Sequence, residues 1–308
     1  ARLVLRGFEA HLEVPLAGDR TAQSLEYRVA GHNRGGPWRQ LPPTDAFGAV
    51  EAEIDLADQD LNLVDKMRGS VTLEVRVAED WRGSEAPVLG RAVARLVEEE
   101  GLTVISDIDD TVKVTEVFRG KADLLRNTFL RRFQPVDGMA SLYRRWASDH
   151  GAVIQYVSKS PPELHEPLCK FLQQERFPVA SVHLCSLFSP LKRSSFKTTQ
   201  IERILADFPR RRFVLVGDSG EHDPQIYADL LRRHPGQVEK VIIREVDPSR
   251  PVDAAAVFQG LPASKWQVFR DPAEITLPQP KESEGIHWPF PWMPGPPPRA
   301  DGGLQAAL

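Results

Sequence analysis

The sequence predicts two folded units of different class followed by a tail. Residues 1–100 read as a small all-β, sandwich-like unit, residues 101–280 as an α/β unit with a Rossmann-like parallel sheet, and residues 281–308 as a tail. Two observations carry this. Before Gly101, short runs alternate apolar and polar residues with period two, the mark of strands wetted on one face. After it, continuous apolar, β-branched runs alternate with amphipathic segments of helical period, the mark of a parallel sheet covered on both faces. The chain of 308 residues is about two domains' worth, enough to bury a sizeable core.

In the first unit the strand candidates are Glu9–Val14, Leu25–Val29, Val50–Leu56 and Val71–Val77. The last puts Val71, Leu73, Val75 and Val77 on one face and Thr72, Glu74 and Arg76 on the other. Turn-rich stretches such as Gly31–Pro37 separate the runs, and regular short strands with such turns suggest an antiparallel sandwich. No constellation of reactive side chains falls here, which points to a packing or partner-binding role.

In the second unit the apolar runs are Leu102–Ile108, Ala152–Val157, Val179–Leu184, Phe213–Val216 and Lys240–Val246. Helical segments are expected between them at Gly138–His150, Glu163–Arg176, Thr198–Phe208 and Pro224–His234. Open parallel sheets bind ligands beyond the carboxyl ends of their strands. Chemistry is therefore expected just after each apolar run. The tail, Lys281–Leu308, holds six Pro and four Gly in 28 residues, and extended or disordered chain is expected there.

Charge and cysteine usage remove several functional classes. Lys and Arg number 12 against 18 Asp and Glu before Gly101, and 27 against 25 from there on, so neither unit has the basic surplus of a nucleic-acid binder. No apolar run reaches about 18 residues, the length of a membrane-spanning helix. Ala1–Gly7 lacks the charged, apolar, small order of a secretory signal. Cys169 and Cys185 lack the spacing of a metal or redox pair and read as buried thiols, so a cytoplasmic chain is expected.

Four strand ends carry the unusual residues. The first run ends in Ser106-Asp107-Ile108-Asp109-Asp110-Thr111. Alternation points Asp107 and Asp109 the same way, about 6–7 Å apart along the chain. Two carboxylates held together repel unless a cation or a proton lies between them. A divalent cation and an electrophilic phosphorus would use both, one carboxylate attacking and the other exchanging the leaving group's proton. Asp and Thr also suit a helix cap followed by a turn. The second run ends in Ser158-Lys159-Ser160-Pro161, either an anion site at a helix start or a plain cap. The fourth ends in Gly217-Asp218-Ser219-Gly220-Glu221-His222-Asp223, an acidic loop with the hard oxygens that suit Mg²⁺. Lys197 opens the helix before that strand and could bring a point charge to a transferring phosphoryl group, as could Lys159 or Lys192 by their positions alone.

Taken in order, Asp107-x-Asp109-x-Thr111, Ser158, Lys197 and Gly217-Asp218-x₄-Asp223 resemble the haloacid-dehalogenase (HAD) superfamily of phosphohydrolases. The phrases Ile105–Lys113, Tyr156–Pro161 and Gly217–Pro224 are similar, more narrowly, to the APP1-type phosphatidate phosphatase catalytic domain, over about residues 100–250. The resemblance implies a role for each residue. Asp107 would be the nucleophile that forms an aspartyl-phosphate. Asp109 would be the acid and then the base, and Thr111 would brace the loop. Ser158 and Lys197 would bind the phosphoryl oxygens. Mg²⁺ would be held by Asp107, the backbone carbonyl of Asp109 and Asp218, with Asp223 acting through a water or by orienting Lys197.

The resemblance further implies a phosphorylated lipid, phosphatidate, as substrate. The same motifs would serve a soluble or protein-bound phosphomonoester, and a binding module using the first unit is the remaining reading. Residues 119–133 carry five basic groups against one acid, with Leu125, Phe129 and Phe133 at helical spacing. That suits either docking on an anionic membrane surface or packing on the chain's own domain. Trp288, Phe290 and Trp292 in the tail could seat at an interface, bind a partner or do neither. Nothing in the sequence speaks to oligomeric state.

Overall fold

In a computed structural model of the chain, the described residues are 24–31, 35–43, 50, 52, 54, 60, 62–63, 70–78, 90–95, 97–115, 133–178, 180–185 and 193–277. The strand expected at 9–14, most of the basic segment 119–133, Lys192 and the tail 281–308 lie outside them.

The first unit contributes β1 (Leu25–Val29), β2 (Arg39–Gln40), β3 (Ser70–Val77) and β4 (Gly90–Arg95). They form one antiparallel sheet in the order β2-β1-β3-β4. Period two sorts its faces: Leu25, Tyr27, Val29, Val71, Leu73 and Val75 are buried. Leu41, Val50 and Ile54 pack against Leu25, Tyr27 and Val75, so residues of the segment expected as another strand cover this face. Val50, Ala52 and Ile54 themselves form no strand, and a second facing sheet is not among the described residues.

The opposite face is held by charge. Glu74 accepts from Arg28 on β1 at 2.8 Å and from Arg91 on β4 at 3.0 Å, bridging three strands. The Trp38 ring lies under the guanidinium groups of Arg28 and Arg76, at 4.5 and 4.1 Å. This explains why Glu74, placed outward by alternation, is nonetheless buried.

The second unit begins with β5 (Leu102–Ser106), and a two-residue ribbon of β6 (Lys113–Val114) with β7 (Gln134–Pro135) follows. Then come α1 (Met139–Asp149), β8 (Val153–Ser158), α2 (His165–Gln174), β9 (Ser181–Leu184) and α3 (Phe196–Asp207). The chain continues through β10 (Arg212–Asp218), α4 (Asp223–Arg233), β11 (Val238–Arg244), α5 (Ala254–Val257) and β12 (Trp266–Phe269). Six strands form one parallel sheet in the order β12-β11-β10-β5-β8-β9. The five predicted strands and four predicted helices are present, shifted by a few residues at their ends. The sixth strand, β12, is an addition. It is an edge strand, half-buried at three of its four positions, so it lacks the continuous apolar run that marks its neighbours.

Adjacent residues on each inner strand enter opposite cores. Val104, Ile154, Val214 and Ile242 pack with Leu142, Tyr143, Trp146, Leu168 and Phe171 of α1 and α2. Ile105, Leu215 and Ile243 pack with Ile201, Ile204, Leu205, Leu230 and Leu231 of α3 and α4. The connections after β5 run toward β8 and β9, whereas those after β10 run toward β11 and β12. The neighbours β5 and β10 therefore flank the switch point, where open sheets leave a crevice at their carboxyl ends. At the other end of these two strands, buried Arg211 donates to Thr103 Oγ1 and Leu102 O, each at 2.7 Å, and to the carbonyls of Glu98 and Glu100. Gly101 lies against that guanidinium at φ +116°, a conformation that other residues rarely adopt.

Two Gln side chains enclose His183 on β9: its Nε2 faces Gln155 Oε1 at 3.1 Å and its Nδ1 faces Gln200 Nε2 at 3.0 Å. Burial alone pushes its pKa down to about 4. The unfolded chain therefore takes up this proton near pH 6.5, before the folded chain does, and folding loses stability as pH falls from about 6.5 to about 4. Urea unfolding at pH 7 and pH 4.5 checks this. The loss assigned to His183 is expected to be up to about 3 kcal/mol, and His183→Gln flattens that part of the profile.

Candidate active site

The loop after β5 turns tightly. Asp110 adopts a left-handed φ of 54°, which Asp tolerates better than most residues. Its carboxylate accepts from the Thr115 amide at 2.7 Å, and its own amide donates to Lys113 O at 2.7 Å. The amides of Thr111, Val112 and Lys113 all turn back to Ile108 O. Asp109 and Thr111 thus sit in a turn rather than at the start of a helix. Arg244 at the end of β11 donates to Asp110 O at 2.7 Å. Behind the nucleophile candidate, Asp107 N bonds Val216 O at 2.8 Å across the switch point. Tyr143 of α1 donates to Ser106 Oγ at 2.8 Å, and Ser106 Oγ donates to Asp107 O at 2.6 Å.

The cluster itself is buried. Lys197, on the first turn of α3, places its Nζ 2.8 Å from Asp107 Oδ1 and 2.6 Å from Asp223 Oδ1. Asp107, Asp218 and Asp223 each offer a carboxylate oxygen within 4.8 Å of the other two. Asp218 Oδ1 accepts from Gly220 N at 2.6 Å, and Thr111 Oγ1 donates to Asp107 Oδ2 at a long 3.4 Å. Burial is the main influence on Asp107, Asp218 and Lys197. It pushes the Asp107 and Asp218 carboxyls well above the usual range; neighbouring carboxylates push the same way and Lys197 opposes them. For Lys197, burial works to lower its pKa, but Asp107 and Asp223 outweigh it and hold the ammonium well above its usual value. Gly217 makes the close approach possible: a Cβ there would lie 2.4 Å from Asp223 Oδ2 and 2.7 Å from the Tyr227 ring.

A divalent cation fits this donor set. Three buried carboxylates around one ammonium leave an excess of negative charge, and burial, with that excess adding to it, drives two of them toward protonation. Asp223 Oδ2 is also buried without a hydrogen-bond partner among the described residues. Hard oxygen donors of this kind suit Mg²⁺ or Ca²⁺.

Asp109 lies in the same site, held by other partners. Its carboxylate meets Lys113 Nζ and Thr115 Oγ1, each at 2.8 Å, and accepts from Ser158 Oγ at 3.1 Å and Ser160 Oγ at 2.9 Å. Burial would raise its pKa, but the Lys113 charge and these hydrogen bonds outweigh that and hold the carboxyl down to about 2. Ser158, expected to face phosphoryl oxygens, therefore spends its hydroxyl on Asp109. Lys113, Thr115, Ser160 and Glu221 also belong to the site, and motif spacing alone does not single them out. Lys113 did carry a signal, since it is a lysine set between Val112 and Val114 four residues after Asp109, and its side chain is fully buried.

Phe133, the described end of the basic segment, packs against the core beside Phe171 at 5.8 Å between ring centroids and lies 4.5 Å from Lys113 Nζ. That residue serves its own domain. The rest of the segment is outside the described residues. Among those described, no helix is long and apolar enough to cross a membrane.

Residues 102–245 match the family described as "Phosphatidate phosphatase APP1, catalytic domain". The Saccharomyces cerevisiae protein named phosphatidate phosphatase APP1 is 31% identical over 211 residues, covering 65% of this chain and 34% of that protein. A Schizosaccharomyces pombe protein described as uncharacterized is 35% identical over 176 residues, covering 53% of this chain and 27% of its own length. The chain thus spans about a third of the length of the curated relatives it matches. A crystal structure of a haloacid dehalogenase-like hydrolase from Burkholderia xenovorans is 12% identical, covers 56% of this chain and 93% of that one, and has a TM-score of 0.35. That likeness is too loose to add to the strand order itself.

The close fit at Gly217 gives a stability test. Gly217→Ala must displace Asp223 or Tyr227, and thermal unfolding is expected to show a loss of about 1–3 kcal/mol. Gly236→Ala, with nothing within 4 Å of the added carbon, is the control and should lose none of this.

Proposed function

We propose that this chain hydrolyses a phosphomonoester and that the substrate is phosphatidate, a reading supported by the match of residues 102–245 to the family of APP1 phosphatidate phosphatase catalytic domains. The observation that carries the reading is the Lys197 ammonium shared between Asp107 and Asp223 at the β5–β10 switch point.

In this reading an Asp107 oxygen attacks phosphorus, the bond from phosphorus to the ester oxygen breaks, and an aspartyl-phosphate forms on Asp107. Lys197 orients Asp107 and stands next to the phosphoryl oxygens, where its charge offsets theirs. Asp109 hands a proton to the departing alkoxide. At rest it is a carboxylate, but a phosphoryl dianion alongside adds a like charge that raises its pKa and lets it take up that proton. In the second half Asp109 removes a proton from water, the water oxygen bonds to phosphorus, and Asp107 is released with inorganic phosphate. Ser158 and Ser160 then have two acceptors to serve, Asp109 and the phosphoryl oxygens.

Asp107, Asp218 and the backbone carbonyl of Asp109 would hold Mg²⁺, with Asp223 adjoining through Lys197. Mg²⁺ when bound supplies the positive charge that keeps Asp107 ionised beside the group it attacks. Among the described residues the N-terminal sheet contributes nothing to this site, and we assign that unit a packing or partner-binding role.

Phosphate release from phosphatidate in mixed micelles, run beside soluble phosphomonoesters, tests the reading. The expected result is Mg²⁺-dependent release from phosphatidate that outpaces the soluble esters. It should fall at least about a thousandfold in Asp107→Asn and vanish with EDTA. Release from soluble esters alone would keep the chemistry and discard the lipid. No release from any ester would discard the enzyme reading.

A further inference from the structure

At the mouth of the site a second lysine is already occupied. Lys159, next after Ser158 at the end of β8, places its Nζ 2.8 Å from Glu221 Oε2 in the β10–α4 loop. The same oxygen stands 4.0 Å from Lys197 Nζ. One carboxylate oxygen of the chain thus lies between two ammonium groups, one just after β8 and the other on the first turn of α3. The pair is on the solvent side of the buried cluster: the Lys159 and Glu221 side chains are 15% and 28% exposed, against 1% for Lys197 and 3% for Asp107.

Charge decides what this arrangement can do. Lys197 already has two carboxylates in contact, so its single charge can offset only part of an incoming phosphoryl dianion's. Three carboxylates and one ammonium carry two net negative charges when all are ionised, and a divalent cation brings that cluster only to neutrality. A phosphoryl dianion then needs a further cation. Lys159 stands beside Ser158 and shares a carboxylate with Lys197, but Glu221 cancels its charge. A part-exposed ion pair of this kind is cheap to open. A phosphoryl group carries more charge and more acceptor oxygens than the carboxylate it would replace.

We propose that Lys159 is a second phosphoryl-binding residue and that Glu221 holds its place until a phosphoryl group displaces it. The inference rests on the phosphomonoesterase reading and adds to it a residue that selects for a dianionic group, with a built-in competitor. Glu221 sets how readily the site accepts phosphate, and Lys159 sets how tightly it is held.

Inorganic phosphate serves as the probe, by calorimetric titration and as a competitive inhibitor, on the full chain with Mg²⁺ present. Lys159→Met is expected to weaken phosphate binding about tenfold and to raise KM more than it lowers kcat, with Lys159→Arg recovering part of the loss. Glu221→Gln is expected to tighten phosphate binding about three- to tenfold in the parent chain and to do nothing in the Lys159→Met background. The KM shifts should be alike for phosphatidate micelles and for a soluble phosphomonoester, since the phosphoryl group is what Lys159 reads; a shift with the micelles alone would contradict the assignment. Unchanged phosphate binding in Lys159→Met, or weaker binding in Glu221→Gln, would overturn it by showing the pair to be a structural strut. Those results with hydrolysis intact leave the phosphomonoesterase standing. If no ester is hydrolysed by the parent chain, the phosphate titration still reads Lys159 and Glu221 directly.

Discussion

A single ammonium group, Lys197 Nζ, holds the charged interior of the α/β unit together. It touches carboxylates that come from two strands, Asp107 after β5 and Asp223 after β10, and both are buried. Removing one partner from such a buried set typically costs about 3–5 kcal/mol, because charge is left without compensation. The surrounding structure keeps the three groups in place. Parallel pairing of β5 with β10 brings the strand ends that carry Asp107 and Asp218 together, Gly217 lets Asp223 approach, and Tyr143 braces the backbone of Asp107 through Ser106.

The arrangement is electrically incomplete, and its incompleteness defines its chemistry. Burial pushes Asp107 and Asp218 toward protonation, and a protonated Asp107 is no nucleophile. A divalent cation held by these carboxylates would correct this. Asp109 is tuned the opposite way, since Lys113, Thr115, Ser158 and Ser160 keep it ionised. Without a cation or substrate the two carboxylates are thus tuned opposite to the roles proposed for them; a divalent cation would hold Asp107 ionised, and a phosphoryl dianion would raise Asp109.

Much of this was legible in the sequence. Strands buried on both faces announce themselves as unbroken apolar runs, and Asp107, Ser158, Lys197 and Asp218 each fall where a run ends or its crossover helix begins. The edge strand β12 was not legible, because a half-buried strand with Trp266, Gln267 and Val268 partly exposed has no such run. Nor was the pairing of Asp109 with Lys113, since it depends on the left-handed turn at Asp110 that brings Lys113 back. Spacing alone also left Glu221 as one acid among several in its loop; only the fold shows it beside Lys159, a residue 62 positions away. The basic segment after Thr115 read equally as a membrane dock or a packed surface, and Phe133 at its described end is packed.

The central claim is that Asp107 itself carries the phosphoryl group. Acid quenching during turnover, followed by digestion and mass spectrometry of the peptide containing Asp107, tests it most directly. The account predicts a phosphoryl group on Asp107, labile to hydroxylamine and absent without Mg²⁺. Steady turnover with Asp107 unmodified, or with the phosphoryl group on another residue, would contradict it.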